Sequence, residues 1–321
     1  MVSAKPVAIV VGASRGIGRQ IAVDLAKNGY AVVVAAKTIS DPNSTAPFPP
    51  DPNSSASTIT TVAREITTAG GDALAIQLDV RSADDIEAVV KRVAQQYGRI
   101  DVLVYNSGAI WWSSVAQTPM KRFQLMQRVN IEGLYGMVQA VLPHLYRNGD
   151  GKKGAGRIVV VSPPVYSRFF RGKTAYAMGK VGMSVLTMGL AMDFEREGRS
   201  DTMAISSIWP AAAINSAATQ KNQRPEQFEE MQRQLRRPEI FSDAILAILR
   251  APTPDVNGKT LLDEDFLRDH EHVTDFSKYA LVPGTTPRRI MPEAFPDLRV
   301  REQDDEGNRV DSVELRKKAK L

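Results

Sequence analysis

Cysteine is absent from all 321 residues. That excludes disulfides, thiolate nucleophiles and cysteine-held metals, and it suits a reducing compartment. Histidine is scarce: His144, His270 and His272 are the only three. His270-Glu-His272 lacks an evident third ligand, so solvated polar residues are the plainer reading and no metal is expected. No apolar run reaches the roughly 20 residues that a membrane-spanning helix needs. The stretch after Met1-Val-Ser-Ala-Lys-Pro6 is short and ends in a glycine turn, so no signal peptide is expected. The net charge of +5 is modest for this length. No basic block is interleaved with aromatics, which argues against nucleic acid as a partner.

What the chain does hold is apolar residues, at 43% of the total, arranged in short runs. Val7–Val11, Ala31–Ala35, Ala73–Leu78, Val102–Val104, Ile158–Val161, Ala204–Ile208 and Thr260–Leu262 read as strands. Their apolar residues are continuous rather than alternating, which predicts strands buried on both faces. Helical patterns lie over Gly16–Asn28, Ser57–Ala69, Ala83–Tyr97, Pro119–Tyr146, Ala175–Glu197 and Glu239–Arg250. This alternation predicts an α/β fold with a Rossmann-type, doubly wound parallel sheet. Residues 38–56 interrupt the rhythm with Pro, Ser, Asn and Thr and read as an exposed insertion, the alternative being a flap over a bound cofactor. Residues 283–321, proline-bearing and then charged, read as a surface extension ending in a flexible tail, leaving 1–282 as one domain.

Two motifs carry chemistry. Gly12-Ala-Ser-Arg-Gly16-Ile-Gly18 sits between an apolar strand and a helical pattern. Gly12 suits the tight turn, Gly16 lets backbone approach a diphosphate, and Gly18 lets helix pack on strand. The helix N-terminus favours the anion. A lone glycine turn would be explained equally well by structure alone; the strand–loop–helix setting favours the nucleotide. The second motif is Tyr176-Ala-Met-Gly-Lys180, with phenol and ammonium four residues apart on one helix face. A fixed cation lowers a tyrosine pKa and readies the phenol to exchange a proton with a carbinol oxygen. Taken alone, the same pair would read as two neighbours on a surface helix.

These motifs, with Asp79-Val80, Asn106-Ser-Gly108, Asn130 and Ser162 in order, resemble the short-chain dehydrogenase/reductase family over residues 5 to 265. The resemblance implies hydride transfer between a nicotinamide and a carbonyl or alcohol carbon. It implies Tyr176 as proton donor and acceptor, and Lys180 as the cation that tunes it and binds ribose. It implies that Ser14, Arg15 and Ile17 of the glycine loop contact the cofactor, Asp79 the adenine, and that Val80 lines the adenine pocket. Asn106 and Gly108 would support the central strand and a ribose, and Pro210 and Ile214 the nicotinamide pocket. Asn130 would kink its helix and hold a relay water; read without the family, it is a polar residue in helix packing. Helices 119–146 and 175–197 would pair in homodimers or homotetramers, with Gly179, Gly182, Ser184 and Gly189 allowing close approach either there or within one subunit.

The departures matter as much. The family serine usually lies thirteen residues before the tyrosine, which here is Pro163; Ser162 is assigned the role, with Tyr166 and Ser167 as fallbacks. The second strand ends Val34-Ala-Ala-Lys37 without the acidic residue that holds a ribose 2′-hydroxyl. Lys37 and Arg15 suit a 2′-phosphate, so NADP(H) is the expected cofactor. Trp111, Trp112, Phe169, Phe170 and Ile214, flanked by Arg168 and Arg171, predict an apolar cleft for a lipid-like carbonyl or alcohol, packing of the loop being the alternative. A dinucleotide-binding scaffold or sensor with little turnover is the rival reading, supported by the displaced serine. The chain's final Ala319-Lys320-Leu321 is a variant of a peroxisomal address. Peroxisome is therefore the expected location, with cytoplasm the alternative. A fluorescent protein carrying residues 310–321 should then enter peroxisomes, and a diffuse signal would defeat that expectation.

Overall fold

The computed structural model describes residues 3–148, 155–166, 172–221 and 228–294. Seven strands form one sheet: β1 (Val7–Val11), β2 (Ala31–Ala36), β3 (Asp72–Gln77), β4 (Val102–Tyr105), β5 (Gly156–Val161), β6 (Met203–Trp209) and β7 (Thr260–Leu262). Their order is β3-β2-β1-β4-β5-β6-β7 and every pairing is parallel. The order reverses beside β1, and the crevice beyond the strand C-termini at such a reversal is where ligands bind in this architecture.

β1 and residues 31–35 of β2 are wholly buried, as continuous apolar runs require. Each buried Val or Ile there contributes roughly 1.5–3 kcal/mol. Alternate residues feed two cores. Val10, Val32 and Val34 face helices α1 (Gly16–Lys27), α2 (Ile59–Thr68) and α9 (Glu239–Arg250). Ile9, Val33 and Leu103 face α3 (Ala83–Tyr97), α5 (Gly133–Leu145) and α6 (Thr174–Arg196). α3 shows local rules at both ends: Ser82 accepts from the Asp85 amide, and Gly98 closes the helix at φ 71°.

The single helix expected over Pro119–Tyr146 is instead three pieces. These are α4 (Met120–Gln127), a π-helical turn at Arg128–Glu132, and α5. Asn130 sits in this turn, and its side-chain amide bonds the backbone of Ala109 instead of its own helix. A π turn lets one residue be re-aimed without ending the helix. Gly179 of α6 packs on this turn, and a Cβ there would lie 3.1 Å from Asn130 Nδ2. That small residue therefore serves packing within the subunit.

The insertion over 38–56 divides in two. Its first part is largely exposed, with a 3₁₀ turn at Pro42–Ser44. Its second part is also exposed at Asp51, Pro52, Ser55 and Ala56, but Pro50 and Asn53, and Ser57 just beyond it, are buried against α1 and the glycine turn. Four short helices fill the remainder: α7 (Ala217–Lys221), α8 (Phe228–Arg233), α10 (Thr253–Val256) and α11 (Asp263–Glu271).

Candidate active site

Strand register delivers the site. Val11 is level with Ala35 of β2 and Tyr105 of β4, and Tyr105 is level with Val160 of β5. The residues that follow those strands therefore emerge together and border a cleft of about 750 Å³. Gly12, Ser14, Arg15, Gly16 and Ile17 form one wall. Gly12 needs its φ of +86°, and a Cβ there would lie 2.8 Å from the Ser107 amide. Gly18 lies behind the wall, where a Cβ would overlap the Gly12 carbonyl and sit 2.6 Å from Asn106 Nδ2. Asn106 fixes the turn by donating to the Gly12 carbonyl at 3.0 Å. The Ile17 amide at the start of α1 finds no acceptor among the described residues, as the first turn of a helix leaves it. Glycines at the close approaches, an unpaired amide and the α1 N-terminus together fit a diphosphate.

At the end of the cleft beside β2, Lys37 and Thr38 line the wall. The expectation of no carboxylate near Lys37 needs correcting. Lys37 Nζ lies 3.3 Å from Asp79 Oδ2. Strands β2 and β3 are adjacent, so the residue just past β3 reaches the one just past β2. Asp79 is also gripped by Arg81, whose Nε donates to Oδ1 at 2.8 Å. Hydrogen bonding from Arg81 holds the Asp79 carboxyl well below the usual carboxylate range. Lys37 stays 67% exposed, and Lys37, Asp79 and Arg81 together carry a net positive charge. Val80 does not border the cleft; it is buried beneath the π turn, 2.9 Å from where a Gly133 Cβ would be.

Tyr176 and Lys180 both face the cleft from the first turns of α6, beside Gly108, Pro210 and Ile214. The Trp112 ring meets Tyr176 edge-on at 6.3 Å. Lys180 is 3% exposed and donates to the Val161 carbonyl at 2.7 Å. Burial without a facing carboxylate pulls its pKa down to about 7. Burial also pushes the Tyr176 hydroxyl up. The protein's own groups therefore do not lower the phenol: burial dominates both side chains. Asn130, fully buried, stands behind them: its Oδ1 accepts from the Ala109 amide at 2.8 Å and its Nδ2 donates to the Ala109 carbonyl at 3.3 Å. It shapes the loop after β4 and does not border the cleft.

Ser162 is not brought into the cleft. It is fully buried, and its hydroxyl accepts from Ser184 Oγ at 3.0 Å. The Ser-Pro-Pro run turns it toward α6 at the end of β5. Residues 167–171, with Ser167, Arg168, Phe169, Phe170 and Arg171, lie outside the described residues, as does Ala319-Lys320-Leu321. Lys173 was not foreseen in the site. It borders the cleft, its Nζ lies 5.6 Å over Trp112, and burial lowers its pKa. Ile290 and Met291 were also missed. An apolar Ile-Met pair in a charged extension is the signal that could have marked these two. Among the described residues no His, Asp or Glu group could hold a metal, and no helix is long and apolar enough to cross a membrane.

A family model described as short chain dehydrogenase matches residues 6–47 and 53–227. Hydroxysteroid dehydrogenase-like protein 2 of Danio rerio is 36% identical over 290 residues, which are 90% of this chain and 63% of that protein. The chain thus spans less than two thirds of that relative's length. A solved putative dehydrogenase from Xanthomonas campestris is 34% identical with a TM-score of 0.74, over 94% of this chain and all of that one. A 7α-hydroxysteroid dehydrogenase solved with NADH and 7-oxo glycochenodeoxycholic acid is 25% identical with a TM-score of 0.63, over 81% of this chain and 93% of that one.

Proposed function

The chain belongs to the short-chain dehydrogenase family, and from that membership we propose that it is an NADP(H)-dependent oxidoreductase that interconverts a lipid-like carbonyl and its secondary alcohol, with Tyr176 as acid and base. The observation that carries this reading is the meeting of Tyr176 and Lys180 in one cleft with the glycine turn and the α1 N-terminus. When bound, the reduced nicotinamide supplies the hydride. Tyr176 then gives its hydroxyl proton to the carbonyl oxygen as that oxygen gains charge. Lys180, its pKa lowered by burial, is suited to exchange a proton and to hold ribose hydroxyls through the hydrogens it does not spend on Val161. A positioned acid of this kind contributes about 10²- to 10⁴-fold.

Support for a 2′-phosphate comes from Arg15 and Lys37 on the cleft wall and from the net positive charge of the Lys37–Asp79–Arg81 cluster. Support for an apolar substrate comes from Ile110, Trp112, Trp209, Ile290 and Met291 at the other end, and from the bile acid held by the related 7α-hydroxysteroid dehydrogenase. The buried Ser162 favours a second reading, a dinucleotide-binding protein with little turnover. NADPH oxidation over a panel of apolar ketones and β-ketoacyl thioesters separates the two. Turnover on at least one substrate, reduced about 10²-fold or more in Tyr176→Phe with NADPH binding intact, is the expected result. Tight NADPH binding with no turnover on any substrate would favour the second reading.

A further inference from the structure

The inserted segment makes an unexpected set of contacts with the cofactor wall. The Gly16 amide donates to the Pro52 carbonyl at 2.6 Å. The buried Arg19 of α1 donates to the Pro50 carbonyl at 2.8 Å and is neutralised by Glu65 at 2.6 Å. Ser57 donates from its hydroxyl to the Ser14 carbonyl at 2.8 Å. Residues 50–57 are therefore fastened to the glycine turn and α1 at three places. Pro50 and Pro52 lie in the break between the two stretches that match the family model.

One side chain reaches from this fastened arm to the opposite wall. Asn53 is 8% exposed and its Nδ2 donates to Asn215 Oδ1 at 3.2 Å. Asn215 follows Ile214, and Ser216 to Thr219 form the cleft's roof after β6. That roof is braced internally, with Thr219 Oγ1 donating to the Ile214 carbonyl at 2.9 Å and accepting from the Ser216 amide at 2.8 Å. Asn53 Oδ1 is buried without a partner. An orphaned buried acceptor offsets part of what the other bond contributes, so the closed arrangement is held weakly enough to open.

We propose that residues 50–57 form a clasp over the diphosphate portion of the cofactor site, closed by the Asn53–Asn215 hydrogen bond, and that opening of this bond gates dinucleotide release. The inference rests on the dinucleotide reading of the cleft. The arm is fixed to one wall. The roof's base is held by backbone bonds between Arg236 and residues Ala213 and Asn215, both at 2.8 Å, and the roof beyond it is braced as a unit, so the amide–amide bond is the side-chain joint between arm and roof. Breaking it lets residues 216–219 pivot on that base away from the glycine turn. Cofactor release then requires this local opening in addition to loss of the cofactor's own contacts.

The test is NADPH release from the full chain, chased with excess NADP⁺ and followed by nicotinamide fluorescence. Asn53→Ala and Asn215→Ala should each speed release about three- to tenfold, the scale of one neutral hydrogen bond. Asn215→Ala also removes the bond from Gln220 Nε2 to Asn215 Oδ1 at 3.2 Å, so the double variant should be no faster than the faster single, the clasp bond being lost in all three. Unchanged release in both single variants would overturn the clasp. So would a double variant whose rate is the product of the two single effects, since that marks two independent lesions. Failure of the unaltered chain to bind NADPH or NADH at all would overturn the dinucleotide reading and the clasp with it.

Discussion

On the proposed reading, Lys37 is the residue on which cofactor choice turns. Its partner Asp79 is ionised and doubly held by Arg81. Lys37 itself is mostly exposed, and exposed ion pairs contribute only about 0–1 kcal/mol. A phosphate arriving beside it therefore meets a cation that is little committed elsewhere. Lys37→Asp would leave two carboxylates against one arginine. The ratio of kcat/KM for NADPH over NADH should then fall by about tenfold or more, as like charges replace opposite ones. An unchanged ratio would remove Lys37 from the phosphate site. Residue scale is also where sequence reading succeeded and failed most sharply. Glycine spacing and the Tyr176–Lys180 pair were legible because each is a local rule of backbone or helix. Ser162 was not, because the direction of its hydroxyl is set by Pro163, Pro164 and a contact with Ser184, 22 residues away. Asp79 reaching Lys37 depends on strand neighbourhood, which no local spacing reveals.

At the scale of elements, all seven strands were legible to within about two residues, because two-sided burial leaves an unbroken apolar run. The π turn escaped detection, since apolar periodicity runs straight through Asn130. Only the resemblance to a family suggested a kink there. The folding of 50–57 onto α1 was hidden by composition: its bonds run from backbone carbonyls of Pro50 and Pro52, which a polar, proline-rich stretch does not advertise. The junction of β1 and α1 makes a direct prediction. In Gly18→Ala the new methyl overlaps the Gly12 carbonyl and crowds Asn106. Backbone must move, at about 1–3 kcal/mol, and the displaced turn is the one proposed to receive the diphosphate. A melting temperature several degrees lower, with NADPH affinity reduced beyond what the lost stability explains, is expected in thermal scans with and without cofactor. Unchanged values for both would contradict the packing described.

Across the whole molecule, two buried charges oppose one another. Asp263 starts α11 and accepts from the Ala211 and Glu264 amides, yet its burial lifts it to about 7. From about pH 4 to 7 the folded chain keeps a proton there that the unfolded chain releases, so stability falls as pH rises through that window. Lys180 behaves inversely. From about pH 7 to 10 the unfolded chain keeps a proton that folded Lys180 gives up, so stability recovers as pH rises. These two groups create a dip near neutrality. Urea midpoints of the cofactor-free chain at about pH 5, 7 and 9 should show Asp263→Asn flattening the acid limb and Lys180→Met the alkaline limb. Variants that leave both limbs unchanged would contradict the assignments. The same region ties the extension to the site: Ile290 and Met291 donate to the Ala211 carbonyl at 2.7 and 3.2 Å, and Arg289 pairs with Asp265 at 2.8 Å.

The central claim is that Tyr176, Lys180 and a bound nicotinamide meet around one carbon. NADPH deuterated at the transferring nicotinamide C4 position, incubated with an apolar ketone substrate, tests it most directly. The account predicts one deuterium on the carbinol carbon of the product alcohol with the unaltered chain, and little or no product with Tyr176→Phe. Equal label transfer by both proteins would contradict it.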